Sequence, residues 1–222
     1  MYFLYYMNHK LEKTFRTMWD CTIIVTKTNV FMEVIMENVL YIKGQYNVLF
    51  KNNKVKLFYH KDGVKTYKKF DVDKIQSIKT HRILVIQHKE CFDKYTFKKN
   101  ELVIWMGEEI DELLLQFIKK VDYYSCEEFF FWGDMNSKGL WAFDKLSHKI
   151  PSRFETYYMN KFHAKKYKHL GKNVSSRELV QLCAITSLDN FGPFEQEVAD
   201  YLWEQKINIS QIDILEERLK NL

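Results

Sequence analysis

An α/β fold is predicted, in which a parallel sheet with flanking helices is preceded by a small antiparallel β meander and followed by a helical C-terminal segment. Three observations predict it. Short apolar runs at Arg82–Gln87, Glu101–Gly107 and Glu127–Asp134 have the continuous pattern of strands buried on both faces. Helical periodicity fills the intervals between them. Upstream, alternating segments rich in Val, Ile, Phe and Tyr are separated by turn-forming clusters.

Taken in order, residues 5 to 19 place Met7, Leu11, Phe15 and Met18 at helical spacing, which predicts one amphipathic helix. From Cys21 to Ile78, the clusters "KGQ", "KNNK" and "HKDG" fall between alternating segments such as "KVKLFYH" and "VKTYKKF", and these are read as turns of the meander. Lys51, Lys54, Lys56, Lys65, Lys68 and Lys69 are placed on its solvent face. There they protect a sheet edge from self-association, or they contact a nucleic-acid backbone.

The parallel part follows. In "EEIDELLLQFIKKV", Ile110, Leu113, Leu114, Phe117, Ile118 and Val121 form one stripe, with acids at the start and Lys119 and Lys120 at the end, matching the helix dipole. Ser137 is expected to cap a helix carrying Leu140, Phe143 and Leu146. "FETYYMN", Phe154 to Asn160, is a weaker fourth strand. Beyond Ser175, helices are expected at "SSRELVQLCAIT", at "PFEQEVADYLWEQ" and at "SQIDILEERLKNL", the last with Ser210 and Asp213 as a capping pair. The expected organisation is 1–80 as helix plus meander, 81–174 as the parallel α/β domain, and 175–222 as the helical segment.

Composition narrows the function classes. A chain of 222 residues that is 46% hydrophobic supplies a sizeable core and excludes a disordered protein. No run of about 18 uncharged apolar residues occurs, and "MYFLYYMNHK" carries its positive charge after its apolar residues, unlike a signal peptide. A cytoplasmic location away from any membrane is expected. Cys21, Cys91, Cys126 and Cys183 are scattered without a C-x-x-C, so reduced thiols in or near the core are expected rather than zinc ligands. A net charge of +5, from 34 basic against 29 acidic residues, permits an anionic partner without requiring one. The Walker, dinucleotide-binding, zinc-protease and nucleophile-elbow motifs are all missing, which leaves those chemistries without their anchor residues.

One strand end calls for explanation. The run from Phe129 to Gly133 stops on Asp134, with Asn136 two residues later. A D-x-D pair at a strand's carboxyl end is a metal site, and Asp-Met-Asn looks like such a pair with one charge removed. In parallel sheets ligands bind at the carboxyl ends of strands, where Gln87, Gly107 and Asp134 all fall. The alternative is that Asp134 merely caps the next helix.

The order of elements resembles the Toprim domain of topoisomerases, primases and several nucleases. The wording is closer still to the JetD proteins, the nuclease subunits of Wadjet plasmid-defence systems. "VIQHKECF", Val85 to Phe92, resembles their V-x-E-N-x-x-x-F segment; "VIWMG" resembles their second strand. "FFFWGDMNSKGLWAFDKL" resembles their Y-W-G-D-x-D-x-x-G-F-x-I-L-x-x-L, and "YYMN" resembles the strand ending in Met-Asp. The likeness is good over residues 82 to 160 and looser towards the C-terminus, where both "FEQE" and "LEER" look like the family's Leu-Glu-Gln-Glu run.

The resemblance implies a glutamate and two aspartates holding Mg²⁺ or Mn²⁺ for phosphodiester cleavage. At the matching positions this chain has Gln87, Asp134 and Asn136. Three negative charges have become one, which weakens any hold on a divalent cation. Glu90 is the expected helper carboxylate, Asp93 lies nearby, and Glu108 and Glu109 are more simply acids at a helix start. Lys161, Lys165, Lys166, Lys168 and Lys172 put five lysines into twelve residues near the strand ends and are read as a DNA-backbone grip, or otherwise as a solvated basic helix.

The expected function is therefore a JetD-like Toprim protein that acts on or binds DNA in a defence-type complex, with cleavage weakened or lost. The partners it implies are DNA, further subunits of such a complex, and a second copy in a homodimer. Two alternatives stand beside it: an active divergent Mg²⁺-dependent DNA endonuclease, and an unrelated α/β protein-interaction module.

Overall fold

The computed structural model describes residues 21–23, 34–36, 39–107, 109–149, 154–187 and 191–221. The helix expected over residues 5 to 19 lies outside them. The chain divides into two units, Met1–Val39 and Leu40–Leu222. In the first, β1 (Cys21–Ile23) pairs antiparallel with β2 (Val34–Met36).

The second unit is mixed α/β. Its strands are β3 (Leu40–Phe50), β4 (Val55–Tyr67), β5 (Ile75–Lys79), β6 (Arg82–Ile86), β7 (Glu101–Trp105), β8 (Glu128–Trp132), β9 (Phe154–Thr156), β10 (Lys172–Asn173) and β11 (Ile207–Asn208). Its helices are α1 (Lys69–Asp73), α2 (Lys89–Lys94), α3 (Glu112–Ile118), α4 (Ser137–Ser147), α5 (Lys161–Lys166), α6 (Ser176–Ser187), α7 (Pro193–Gln205) and α8 (Gln211–Lys220). A seven-stranded sheet runs β4-β3-β7-β6-β8-β9, with β5 on β3. Strands β7, β6, β8 and β9 are mutually parallel, whereas β3 pairs antiparallel with β7 and with the other two.

The continuous apolar runs have the expected cause. Every residue of β6 is buried, because it lies between two parallel neighbours in a sheet covered by helices. Helix α2 packs on β6 and β7 and touches α8, while α4, α6 and α7 pack together. Phe131 of β8 meets Phe143 of α4. Asp111 caps α3, its carboxylate accepting from the Leu114 N–H at 2.7 Å, and Ser210 caps α8 through the Ile212 N–H.

Four local expectations are corrected. "KGQ" is not a turn but lies inside β3, where the register shifts and Gly44 has φ +122°. A Cβ there would fall 2.0 Å from the Glu101 carbonyl oxygen, so glycine permits β3 to approach β7. "HKDG" likewise lies within β4 opposite that shift, so the two segments flanking it are one irregular strand. Only "KNNK" closes a hairpin, with Asn53 at φ 61°. Asn136, not Ser137, caps α4, because its side chain accepts from the Gly139 N–H while the Ser137 hydroxyl is engaged by Glu178. Cys183 is exposed on α6, while Cys91 is buried.

At the amino ends of the parallel strands, Glu101, Arg82 and Glu128 stand side by side in register. Arg82 Nε donates to Glu101 Oε1 at 2.6 Å, and Nη1 donates to Glu128. Glu101 is fully buried and also accepts from the Lys98 N–H at 2.6 Å and from the Tyr95 hydroxyl. The first residues of three strands are thus tied by charge, at the end of the sheet opposite the candidate site.

Candidate functional site

Strands β6 and β8 end together. Ile86 faces Trp132 in the parallel register, so Gln87 and Gly133 are the first residues beyond the sheet. The chain leaves β6 for β7 on one side and leaves β8 for β9 on the other, and such a switch point opens a crevice at the strand ends. Gln87 Oε1 accepts from the Asp134 N–H at 2.9 Å. That contact needs Gly133, because a Cβ there would lie 2.4 Å from the same oxygen.

Asp134 is surrounded by donors. Its Oδ1 accepts from the Gln211 N–H at 2.7 Å, at the start of α8. Its Oδ2 lies 2.9 Å from His88 Nε2 and accepts from Asn136 Nδ2 at 3.3 Å. Burial would raise the Asp134 carboxyl, but His88, the Gln211 N–H and Asn136 outweigh it and hold the group below its ordinary range. His88 shifts the opposite way: its hydrogen bond to Asp134 raises the imidazole, against the opposing effect of burial.

The Gln211 side chain fills the crevice. Fully buried, it donates from Nε2 to the Trp132 carbonyl at 3.0 Å and accepts from the His88 N–H at 3.0 Å. Beside it Met135 and Ile209 exchange backbone hydrogen bonds at 2.9 and 3.1 Å. The N-terminus of α4 is covered as well. Asn136 Oδ1 accepts from the Gly139 N–H at 2.8 Å, and Glu178 of α6 accepts from both the Ser137 N–H and its hydroxyl, at 2.7 and 2.9 Å.

The three matched positions therefore converge, but not as an open ligand set. A hard divalent cation needs several anionic oxygens with lone pairs turned towards it. Gln87 Oε1 is taken by the Asp134 N–H, Asn136 Oδ1 caps a helix, and both Asp134 oxygens face N–H donors. Among the described residues no group of three His, Cys, Asp or Glu side chains could hold a metal ion. These residues do not fit Mg²⁺ or Mn²⁺. Glu90 is paired with Lys94 along the exposed side of α2 at 2.5 Å, and Asp93 with Lys89 at the same distance. Glu108 lies outside the described residues.

The basic segment is divided. Lys161 pairs with Glu197 at 3.6 Å and Lys172 with Asp213 at 2.6 Å. Lys165, Lys166 and Lys168 are exposed, and Lys166 lies over the Tyr167 ring. Asp213 thus pairs with Lys172, and the expected capping pair is reduced to Ser210, which accepts from the Ile212 N–H. Of the meander lysines, all six are exposed.

Two residues of the cluster were not anticipated. His88 directly follows Gln87, and its position beside a strand end was the available signal. Gln211 carried none beyond its place after Ser210 at a helix start.

The family model described as Wadjet protein JetD, C-terminal, matches residues 48–219. No curated protein matches the chain. No described helix is long and apolar enough to cross a membrane.

Proposed function

Since the chain belongs to the Wadjet JetD C-terminal family, we propose that it is a DNA-binding Toprim-like member in which metal-dependent cleavage has been lost or nearly so. It acts, on this reading, alongside partner subunits of a defence complex. One observation carries the proposal: the single carboxylate left at the strand ends, Asp134, is satisfied by His88 and by the N-terminus of α8. Charge that three acids would offer to a cation is reduced to one, and the protein's own donors neutralise that one. The fold is kept while the chemistry is withdrawn. DNA contact is assigned to the exposed lysines Lys165, Lys166 and Lys168, with Lys161 and Lys172 more closely tied to their acidic partners.

The test restores charge. Gln87→Glu with Asn136→Asp keeps both local acceptor roles, since Glu can still accept from the Asp134 N–H and Asp can still cap α4. Three carboxylates would then converge, and a cation that relieves their repulsion would stabilise the fold in proportion to occupancy. Melting temperature should rise with Mg²⁺ or Mn²⁺ in the double variant and stay nearly flat in the native protein, which should leave plasmid DNA intact. Robust native cleavage abolished by Asp134→Ala would overturn the reading.

A further inference from the structure

Helix α4 presents a second feature beside the strand-end cluster. Lys138, Trp141, Lys145 and Lys149 follow one another at three- and four-residue steps, which places them on one face of the helix and the turn that continues it. All four are exposed, and Trp141 is 44% exposed although it is a large aromatic side chain. They line an open groove of about 750 Å³ that Gln87 also lines. The groove therefore extends from the carboxyl end of β6 along α4.

Its chemistry is selective. None of the three lysines makes an ion pair among the described residues, in contrast to Lys161 and Lys172. The acids in the lining are Glu109 and Asp144; Asp144 lies 3.3 Å from His148 Nδ1. Trp141 is held by Phe191, whose ring meets it at 4.6 Å and nearly perpendicular. An exposed indole packed edge-on against one neighbouring ring and flanked by a cation one turn before and one turn after matches a strand that alternates base and phosphate. Stacking on an aromatic face is open to a base that has left its duplex, while phosphates need only the cations.

We propose that this groove binds an unpaired stretch of nucleic acid, with a base stacked on Trp141 and the backbone held by Lys138, Lys145 and Lys149. The assignment rests on the DNA-binding reading above but concerns a different surface from Lys165, Lys166 and Lys168. An acidic peptide is the competing occupant. It would use the lysines and gain little from the ring.

Binding of fluorescein-labelled oligo-dT and of a blunt duplex is measured by anisotropy, with polyglutamate as competitor. The proteins compared are the native chain, Trp141→Ala, Trp141→Phe, the triple variant Lys138→Ala/Lys145→Ala/Lys149→Ala, and Lys165→Ala/Lys166→Ala/Lys168→Ala. Trp141→Ala should weaken oligo-dT about tenfold or more, Trp141→Phe should restore most of that, and duplex affinity should change little in either. The α4 lysine variant should flatten the salt dependence of oligo-dT binding. Melting curves identify any variant that fails to fold, and the lysine variant, which removes only exposed side chains, then carries the test. Oligo-dT affinity unchanged in the α4 variants but lost in the Lys165 set would overturn the groove while leaving DNA binding intact. Equal losses for duplex and oligo-dT, or displacement by polyglutamate that ignores Trp141, would overturn the unpaired-strand assignment. No binding of either nucleic acid would remove both readings.

Discussion

The backbone N–H of Gln211 donates to Asp134 Oδ1 at 2.7 Å, so the last helix of the chain begins on the one acid that the strand ends retain. A carboxylate at a helix N-terminus is favourable in itself. Here it also joins two distant segments, and the Gln211 side chain seals the joint by bonding Trp132 and His88. The Asp134 carboxylate is thereby largely enclosed, with its side chain 15% exposed.

That joint should be costly to break. Gln211→Leu removes the partner of one buried and one part-buried backbone group, and the expected loss is on the order of 2–3 kcal/mol. Gln211→Glu, which turns an oxygen towards the Trp132 carbonyl, should cost at least as much. Urea midpoints measure both, and a loss below about 0.5 kcal/mol would show that α8 is anchored by its apolar contacts alone.

The His88–Asp134 pair should leave a signature in pH. His88 is raised above its ordinary 6.5, so its contribution is complete below that value and is lost as pH rises through its folded-state pKa. Asp134 is lowered below 3.8, so its contribution is present above that value and is lost as pH falls through the lower one. The stability difference between the native protein and His88→Gln should therefore be largest between these ordinary values and shrink in alkaline solution. Its size is on the order of 1 kcal/mol, because His88 is partly exposed and water screens the pair. A difference that kept growing as pH rises above 6.5 would contradict the assignment.

At the other end of the sheet, Arg82→Ala should destabilise by about 3–5 kcal/mol, since it leaves buried Glu101 without its cation. Replacing the pair, with Arg82→Met and Glu101→Gln together, should recover a good part of that loss because Gln still accepts from Lys98 and Tyr95. Thermal and chemical unfolding of the two variants decides it: equal losses would mean that Arg82 acts through its stacking on Phe130, 4.3 Å below the guanidinium, rather than through charge.

The elements of the parallel half were legible because their causes are local. A run such as Arg82–Ile86 is apolar at every position, since both faces of β6 are covered, and α3 shows its acids, its stripe and its lysines within a few turns. The turns of the meander were less legible. "KGQ" and "HKDG" have turn composition, but Gly44 serves close packing against β7 and the second cluster takes up the matching irregularity in β4. Composition alone does not distinguish a reversal from a bulge.

The sequence by itself determined that two strand ends carry Gln87 and Asp134 and that an amide, Asn136, stands two residues after the acid. It thereby determined that little anionic charge remains for a cation, because charge is a property of residue identity. Tertiary structure decided which donors surround Asp134. His88 lies one residue beyond Gln87, but Gln211 is 77 positions from Asp134, and no periodicity relates them. Their contact depends on the C-terminal segment entering the crevice between β6 and β8, which follows from the packing of α8 on α2 and the pairing of Ile209 with Met135. A hydrogen bond of that kind is fixed by the whole fold, through the burial that removes water from both partners and leaves each as the other's available match.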